Sequence, residues 1–128
     1  MEYILNFDKV DKGFLPLVGG KNASLGEMIK AGIRVPPGFA VTTDSYLTFI
    51  VETDIKDKIY GILSELDPDD VKSLNHVANE VQELIISASM SDKTRMAIEE
   101  GYAQLCKKCD AETVPVAVRS SATAEDLP

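Results

Sequence analysis

Two clusters of residues in this chain of 128 residues have the types and spacing to do chemistry. The first is Leu17-Val18-Gly19-Gly20-Lys21-Asn22-Ala23-Ser24-Leu25-Gly26-Glu27-Met28. Paired glycines let a backbone come close to a ligand. Lys21 falls where a helix is expected to begin, and the N–H groups and dipole there favour an anion. The segment is not a Walker A loop. Leu15 stands where that motif has its first glycine, and Asn22 stands where it has Ser or Thr. A tight turn before a surface helix, with Lys21 in solvent, accounts for the same residues. A lysine at a helix start is mildly unfavourable, however, and an anionic partner would offset that cost.

The second cluster is Val114-Pro115-Val116-Ala117-Val118-Arg119-Ser120-Ser121-Ala122-Thr123-Ala124-Glu125-Asp126. Val114, Val116 and Val118 alternate as on one face of a strand, and Pro115 is tolerable near its start. That strand would deliver Arg119 to its carboxyl end, the usual ligand side of an open α/β sheet. A guanidinium forms paired bonds to phosphate oxygens. Ser120, Ser121 and Thr123 are candidate further donors. The competing reading is an Arg119 salt bridge to Glu125 or Asp126, with the hydroxyls capping a helix. Those two acids suit a first helical turn better than a Mg2+ site.

The elements that must position these clusters form an α/β (α+β) pattern, a small sheet with several helices. Tyr3 to Phe7 and Phe39 to Val41 read as strands. Leu15 to Val18 is a short apolar segment, and a helix follows from about Lys21 to a Gly32 exit. Thr42-Thr43-Asp44-Ser45 supplies caps for a helix through Ile50. Ile55, Ile59, Ile62, Leu63 and Leu66 recur at helical spacing. Asp67 is expected to cap a helix with Pro68 at its first position. Its apolar stripe is Val71, Leu74, Val77, Val81, Leu84, Ile85 and Ala88. A last helix from Ser91-Asp92 carries Ile98, Tyr102, Leu105, Cys106 and Cys109 on one face.

The formal charge of −8, from 13 basic and 21 acidic residues, argues against duplex DNA or a membrane surface as partner. It leaves room for a nucleotide, since one Lys and one Arg can dominate a small site. No apolar run approaches the ~18 residues needed to span a bilayer, and Met1-Glu2-Tyr3-Ile4 lacks a secretory signal's basic start. The chain reads as cytoplasmic. Cys106 and Cys109 have half a zinc knuckle's spacing, but no second pair exists, so both are expected as reduced core thiols. The sole histidine, His76, is expected as a helix-surface or packing residue.

Together the clusters closely resemble the start of the nucleotide-binding domain of phosphoenolpyruvate synthase and pyruvate phosphate dikinase. The resemblance is carried by Leu17 to Met28, by Gly32-Ile33-Arg34-Val35-Pro36-Pro37-Gly38-Phe39-Ala40-Val41-Thr42-Thr43 and by Val116 to Pro128. The stretch from Glu52 to Thr113 is not distinctive. The resemblance implies an ATP-grasp-like domain in which Lys21 and Arg119 contact ATP phosphates, with Gly20, Ser120, Ser121 and Thr123 shaping the phosphate pocket. It implies a parent enzyme that moves phosphate from ATP to a histidine in another domain, with pyruvate bound in a third. The expected cofactors are ATP and Mg2+, the metal's ligands lying outside this chain. Residues 1–128 are then expected to be the N-terminal portion of that domain, incomplete at the C-terminus and inactive alone. The Ala122-to-Pro128 ending resembles the synthase branch more than the dikinase branch. The antibiotic phosphotransferases, which share the domain, and a non-catalytic nucleotide-binding or interaction module are the other readings.

Overall fold

The computed structural model of the chain describes residues 1–124. Five helices and one two-stranded sheet make a small α+β arrangement. β1 is Ile4–Asn6 and β2 is Phe39–Val41; they pair antiparallel, with Ile4 opposite Val41 and Leu5 opposite Ala40. The helices are α1 (Leu15–Lys30), α2 (Thr43–Glu52), α3 (Lys56–Ser64), α4 (Val71–Ser87) and α5 (Asp92–Lys108). The chain divides into two compact units. One is Met1–Tyr46 with the described residues from Asp92, and the other is Leu47–Ser91.

In the first unit, buried Val10, Val18, Ala23 and Ala40 form the core, with Leu5, Phe14 and Leu17 packed against it. α1 can lie close to the turn before it because residue 26 is glycine. A Cβ there would sit 2.0 Å from the Val10 carbonyl oxygen. The same end of α1 is also tied back by polar groups. The Asp11 carboxylate accepts from Lys30 Nζ and from the Gly13 N–H, while Glu27 accepts from the Lys12 N–H. The hydrogen bonds from Lys30, the larger cause, and from the Gly13 N–H hold the Asp11 carboxyl below its ordinary pKa. Where β2 runs into α2, the Thr42 hydroxyl accepts the Ser45 N–H at 3.1 Å and donates to the Glu2 carbonyl. This N-cap supplies one of the acceptors that a helix start lacks. Because Glu2 precedes β1, it also ties that strand to α2.

The second unit is helical. Ile50, Ile55 and Ile59 are its buried core, covered by Phe49, Val81, Leu84, Ile85 and Ala88. The expected apolar stripe of α4 is therefore present from Val77 onward, whereas Val71 and Leu74 are exposed. The start of α4 differs from expectation. Asp70, not Asp67, is the N-cap, accepting from the Lys72 N–H at 3.0 Å. The exposed Asp67 carboxylate instead accepts from the Asp69 N–H within its own loop, and Pro68 lies ahead of the helix. Two aspartates competed for one role, and the one adjacent to the first helical residue holds it.

Three further expectations are corrected. Val114 to Val118 is not a strand. β1 and β2 pair with each other, so the valine segment has no ladder partner among the described residues, and Val118 is 93% exposed. The Tyr102 hydroxyl tethers it, accepting from the Val114 N–H and donating to the Val114 carbonyl, both at 2.9 Å. Cys109 is exposed, whereas Cys106 is buried, and both are free thiols. α5 ends at Lys108, so the apolar face that holds Leu105 and Cys106 stops short of Cys109. Finally, the apolar residues Leu15 to Val18 are helical, joined to the rest of α1 across a break at Gly19.

Candidate anion site

The break in α1 is where the two sequence clusters meet. Gly19 has φ 79° and ψ 169°, far from helical values. A left-handed φ is strained for any residue with a Cβ. Space excludes a side chain as well, since a Cβ on Gly19 would lie 2.1 Å from the Ser121 carbonyl oxygen and 2.5 Å from Ser121 Oγ.

A break in mid-helix leaves backbone groups to be satisfied. Four of them have their partners in other segments or side chains. The Gly20 N–H, whose helical acceptor would be the Pro16 carbonyl, donates to the Ala122 carbonyl at 3.0 Å. The Pro16 carbonyl accepts instead from the Thr43 hydroxyl at 2.9 Å. The Val18 carbonyl and the Asn22 N–H are four residues apart, and an unbroken helix would join them directly. Ser121 stands between them. Its hydroxyl donates to the Val18 carbonyl at 2.8 Å and accepts from the Asn22 N–H at 3.1 Å. The Asn22 side-chain amide gives the Val18 carbonyl a second donor at 2.9 Å.

The helical run after the break starts at Gly20, close to the expected start near Lys21. Lys21 is half-buried. It is flanked on both sides by residues bonded to the second cluster, Gly20 and Asn22. Arg119 lies two residues before Ser121 and is exposed, as are Ser120 and Thr123. Consecutive Cα atoms are ~3.8 Å apart. Arg119 therefore sits within about two such steps of the junction that flanks Lys21. Of the predicted site residues, Ser121 has its hydroxyl bonded to the backbone of the first cluster, and the Gly20 N–H is likewise spent on Ala122. Arg119 stands in an irregular segment, not at a strand end. Glu125 and Asp126 lie outside the described residues.

Sequence reasoning missed three parts of this arrangement. Asn22 was noted only for breaking the Walker pattern, yet it contributes both its N–H and its side-chain amide. The Ala122 carbonyl and the Tyr102 hydroxyl carry no local signature of their roles. His76 is on α4, 74% exposed at its side chain and paired with Glu80 at 2.6 Å, one helical turn on. It lies outside the unit that holds the clusters.

The sequence profile of the family described as "Pyruvate phosphate dikinase, AMP/ATP-binding domain" matches residues 15–128. The chain belongs to that family. A probable phosphoenolpyruvate synthase of Methanocaldococcus jannaschii is 48% identical over 128 residues, covering 100% of this chain and 11% of that protein. A second, from Staphylothermus marinus, is 48% identical over 128 residues, covering 98% of this chain and 15% of its own length. The phosphoenolpyruvate synthase of Aquifex aeolicus is 43% identical over 129 residues, covering 98% of this chain and 15% of that protein. The chain thus spans only a small share of the relatives it matches. By residue type, a lysine, an arginine and exposed hydroxyls suit a phosphate chain. They do not suit a divalent cation. Among the described residues no group of three His, Cys, Asp or Glu side chains could hold one, and no helix is long and apolar enough to cross a membrane.

Proposed function

We propose that this chain is the ATP-binding N-terminal portion, ATP-grasp-like in fold, of a cytoplasmic phosphoenolpyruvate synthase. Lys21 and Arg119 hold and orient the phosphates of ATP, and Gly20, Ser120 and Thr123 line the same pocket. In the parent reaction, ATP, pyruvate and water become phosphoenolpyruvate, AMP and phosphate. The phosphoryl group passes through a histidine of a separate domain, and pyruvate binds in another. The part played by this chain is electrostatic: fixed positive charge and donors meet the negative charge of the phosphates in a prearranged geometry. Mg2+, when bound with ATP, shields that charge further, and its ligands belong outside the described residues.

One observation carries the reading. Two clusters a hundred residues apart, each suited to phosphate, interlock at the Gly19 break through Ser121 and Ala122. An isolated lysine turn or an isolated arginine salt bridge would need no such junction. Calorimetric titration of ATP into the chain tests it. Lys21→Met and Arg119→Met are each expected to weaken binding about 10- to 100-fold, the scale of a charge-assisted hydrogen bond. His76→Ala is expected to leave it unchanged. Equal affinity in all four proteins would overturn the assignment. Fused to the remaining domains of a relative, the Arg119→Met chain should lose histidine phosphorylation while the His76→Ala chain keeps it. The dikinase branch would show itself in that fusion as a requirement for phosphate in place of water.

A further inference from the structure

Ser121 has the residue type of a phosphate ligand, and its surroundings point to a different task. A serine hydroxyl has a single proton to give. Here that proton goes to the Val18 carbonyl, and a lone pair takes the Asn22 N–H. A phosphate oxygen offers only lone pairs, so Ser121 could serve one only by abandoning Val18. The hydroxyl also stands against the bare Cα of Gly19, where a Cβ would be 2.5 Å from it, so it has little room to turn away. The exposed neighbours Ser120 and Thr123 are under neither constraint. Lys21 sits inside the stretch that this hydroxyl bridges, between Val18 and Asn22.

We infer that Ser121 is a positioning residue. By bridging Val18 and Asn22 its hydroxyl fixes the helical start that carries Lys21, and so sets the lysine's aim at a phosphate chain that Ser121 itself does not touch. The inference rests on the phosphate-binding reading above and extends it. It implies that both clusters must be present for either to work: the second cluster brings Arg119 to the phosphates and at the same time builds the seat for Lys21.

The test is a double-mutant cycle with inorganic tripolyphosphate as the probe, titrated calorimetrically into the chain. Ser121→Ala is expected to weaken binding about tenfold, on the scale of a lost hydrogen-bond bridge. Ser121→Thr, which keeps a hydroxyl, should return it to within about twofold of the original. The Ser121→Ala, Lys21→Met double variant should bind no more weakly than Lys21→Met alone, because the serine acts through the lysine. Losses that multiply would mean direct contact with phosphate and would overturn the inference, as would Ser121→Ala binding like the original chain. Failure of the original chain to bind tripolyphosphate, or a neutral Lys21→Met, would instead sink the phosphate-binding reading and this inference with it. A readout without ligand stands beside the cycle: hydrogen exchange at the Asn22 amide should speed up in Ser121→Ala and recover in Ser121→Thr. Unchanged exchange would show that no bridge exists. Should Ser121→Ala fail to fold, Ser121→Cys carries the same cycle with a weaker, longer bridge.

Discussion

The Gly19 junction and the α3–α4 pair satisfy the same physical demands by opposite means. Around Gly19 the backbone is completed by groups far away in sequence. The Asn22 N–H reaches a hydroxyl 99 residues on, and the Val18 carbonyl receives one from 103 residues on. In the Leu47–Ser91 unit, side chains bond to backbone close by in sequence. Thr53 donates to the Phe49 carbonyl, Ser64 donates to Gly61 and Asp70 caps its own helix. Its cohesion comes instead from Ile50, Ile55 and Ile59 under a lid of α4 side chains. The difference separates two uses of sequence. Apolar periodicity builds a unit whose residues are interchangeable within volume limits. A polar junction needs particular atoms at particular places, and this is the region where the family-specific text lies.

Substitutions can break that comparison. The largest expected effect lies in the apolar region. Ile59 is 2% exposed, and Ile59→Ala should cost about 3–4 kcal/mol through lost burial and a residual cavity. Urea denaturation should show this with ATP affinity of the folded protein unchanged. Next comes the same chemical change made in both regions. Gly19→Ala adds a Cβ where φ is 79° and the Ser121 carbonyl would be 2.1 Å away, and should cost about 2–3 kcal/mol. Gly61→Ala adds one within α3 with nothing inside 4 Å, and should stabilise by up to about 1 kcal/mol. If both changes have the same sign in denaturation curves, the contrast between the regions is wrong. Tyr102→Phe removes the hydroxyl that holds Val114 by both its N–H and its carbonyl. It should cost about 1 kcal/mol and accelerate hydrogen exchange at the Val114 amide.

The smallest effect concerns pH. The folded Asp11 carboxyl has its pKa lowered, chiefly by its hydrogen bond to Lys30. A depressed carboxyl contributes stability above its unfolded pKa, and loses it as pH falls through the lower folded value. Lys30, raised by the same bond, contributes below its unfolded pKa and loses that contribution as pH rises through its folded value. The pair is solvent-exposed, so the expected readout is titration rather than stability. Lys30→Met should move the Asp11 carboxyl resonance midpoint upward in NMR, while Lys93→Met should not.

Much of this arrangement could be read in the residues, and the failures have a common cause. β2 matched Phe39 to Val41 because a short β-branched and aromatic run between a Pro-Pro-Gly turn and a Thr cap has few other options. α5 began at Asp92 as its acidic first turn requires. The apolar face of α4 was right in its second half, where it meets the isoleucines. Val114 to Val118 failed because alternation describes a strand's faces and says nothing about whether a partner strand is there to receive its N–H groups. Cys109 failed by one residue: the helical face was extrapolated past Lys108, where the helix ends. At the site, the residue types of Lys21 and Arg119 were visible. The Ser121 bridge was not, because a hydroxyl that completes another segment's backbone looks the same in sequence as one that awaits a ligand.

The Gly19 junction also orders events in folding. Its last hydrogen-bonding atom belongs to a residue about a hundred positions after the break it closes, so during synthesis α1 emerges long before its kink can be completed. Closing so long a loop has an entropic cost that grows slowly with length, and α3 and α4, whose shared core is built from residues near in sequence, can form first. The Leu47–Ser91 unit belongs wholly to that interval. The turn that carries Lys21 would then be completed last. Stopped-flow refolding should show Ser121→Ala raising the unfolding rate with the folding rate nearly unchanged, a φ-value close to zero. A φ-value near one would mean that the ends of the chain meet before its middle folds.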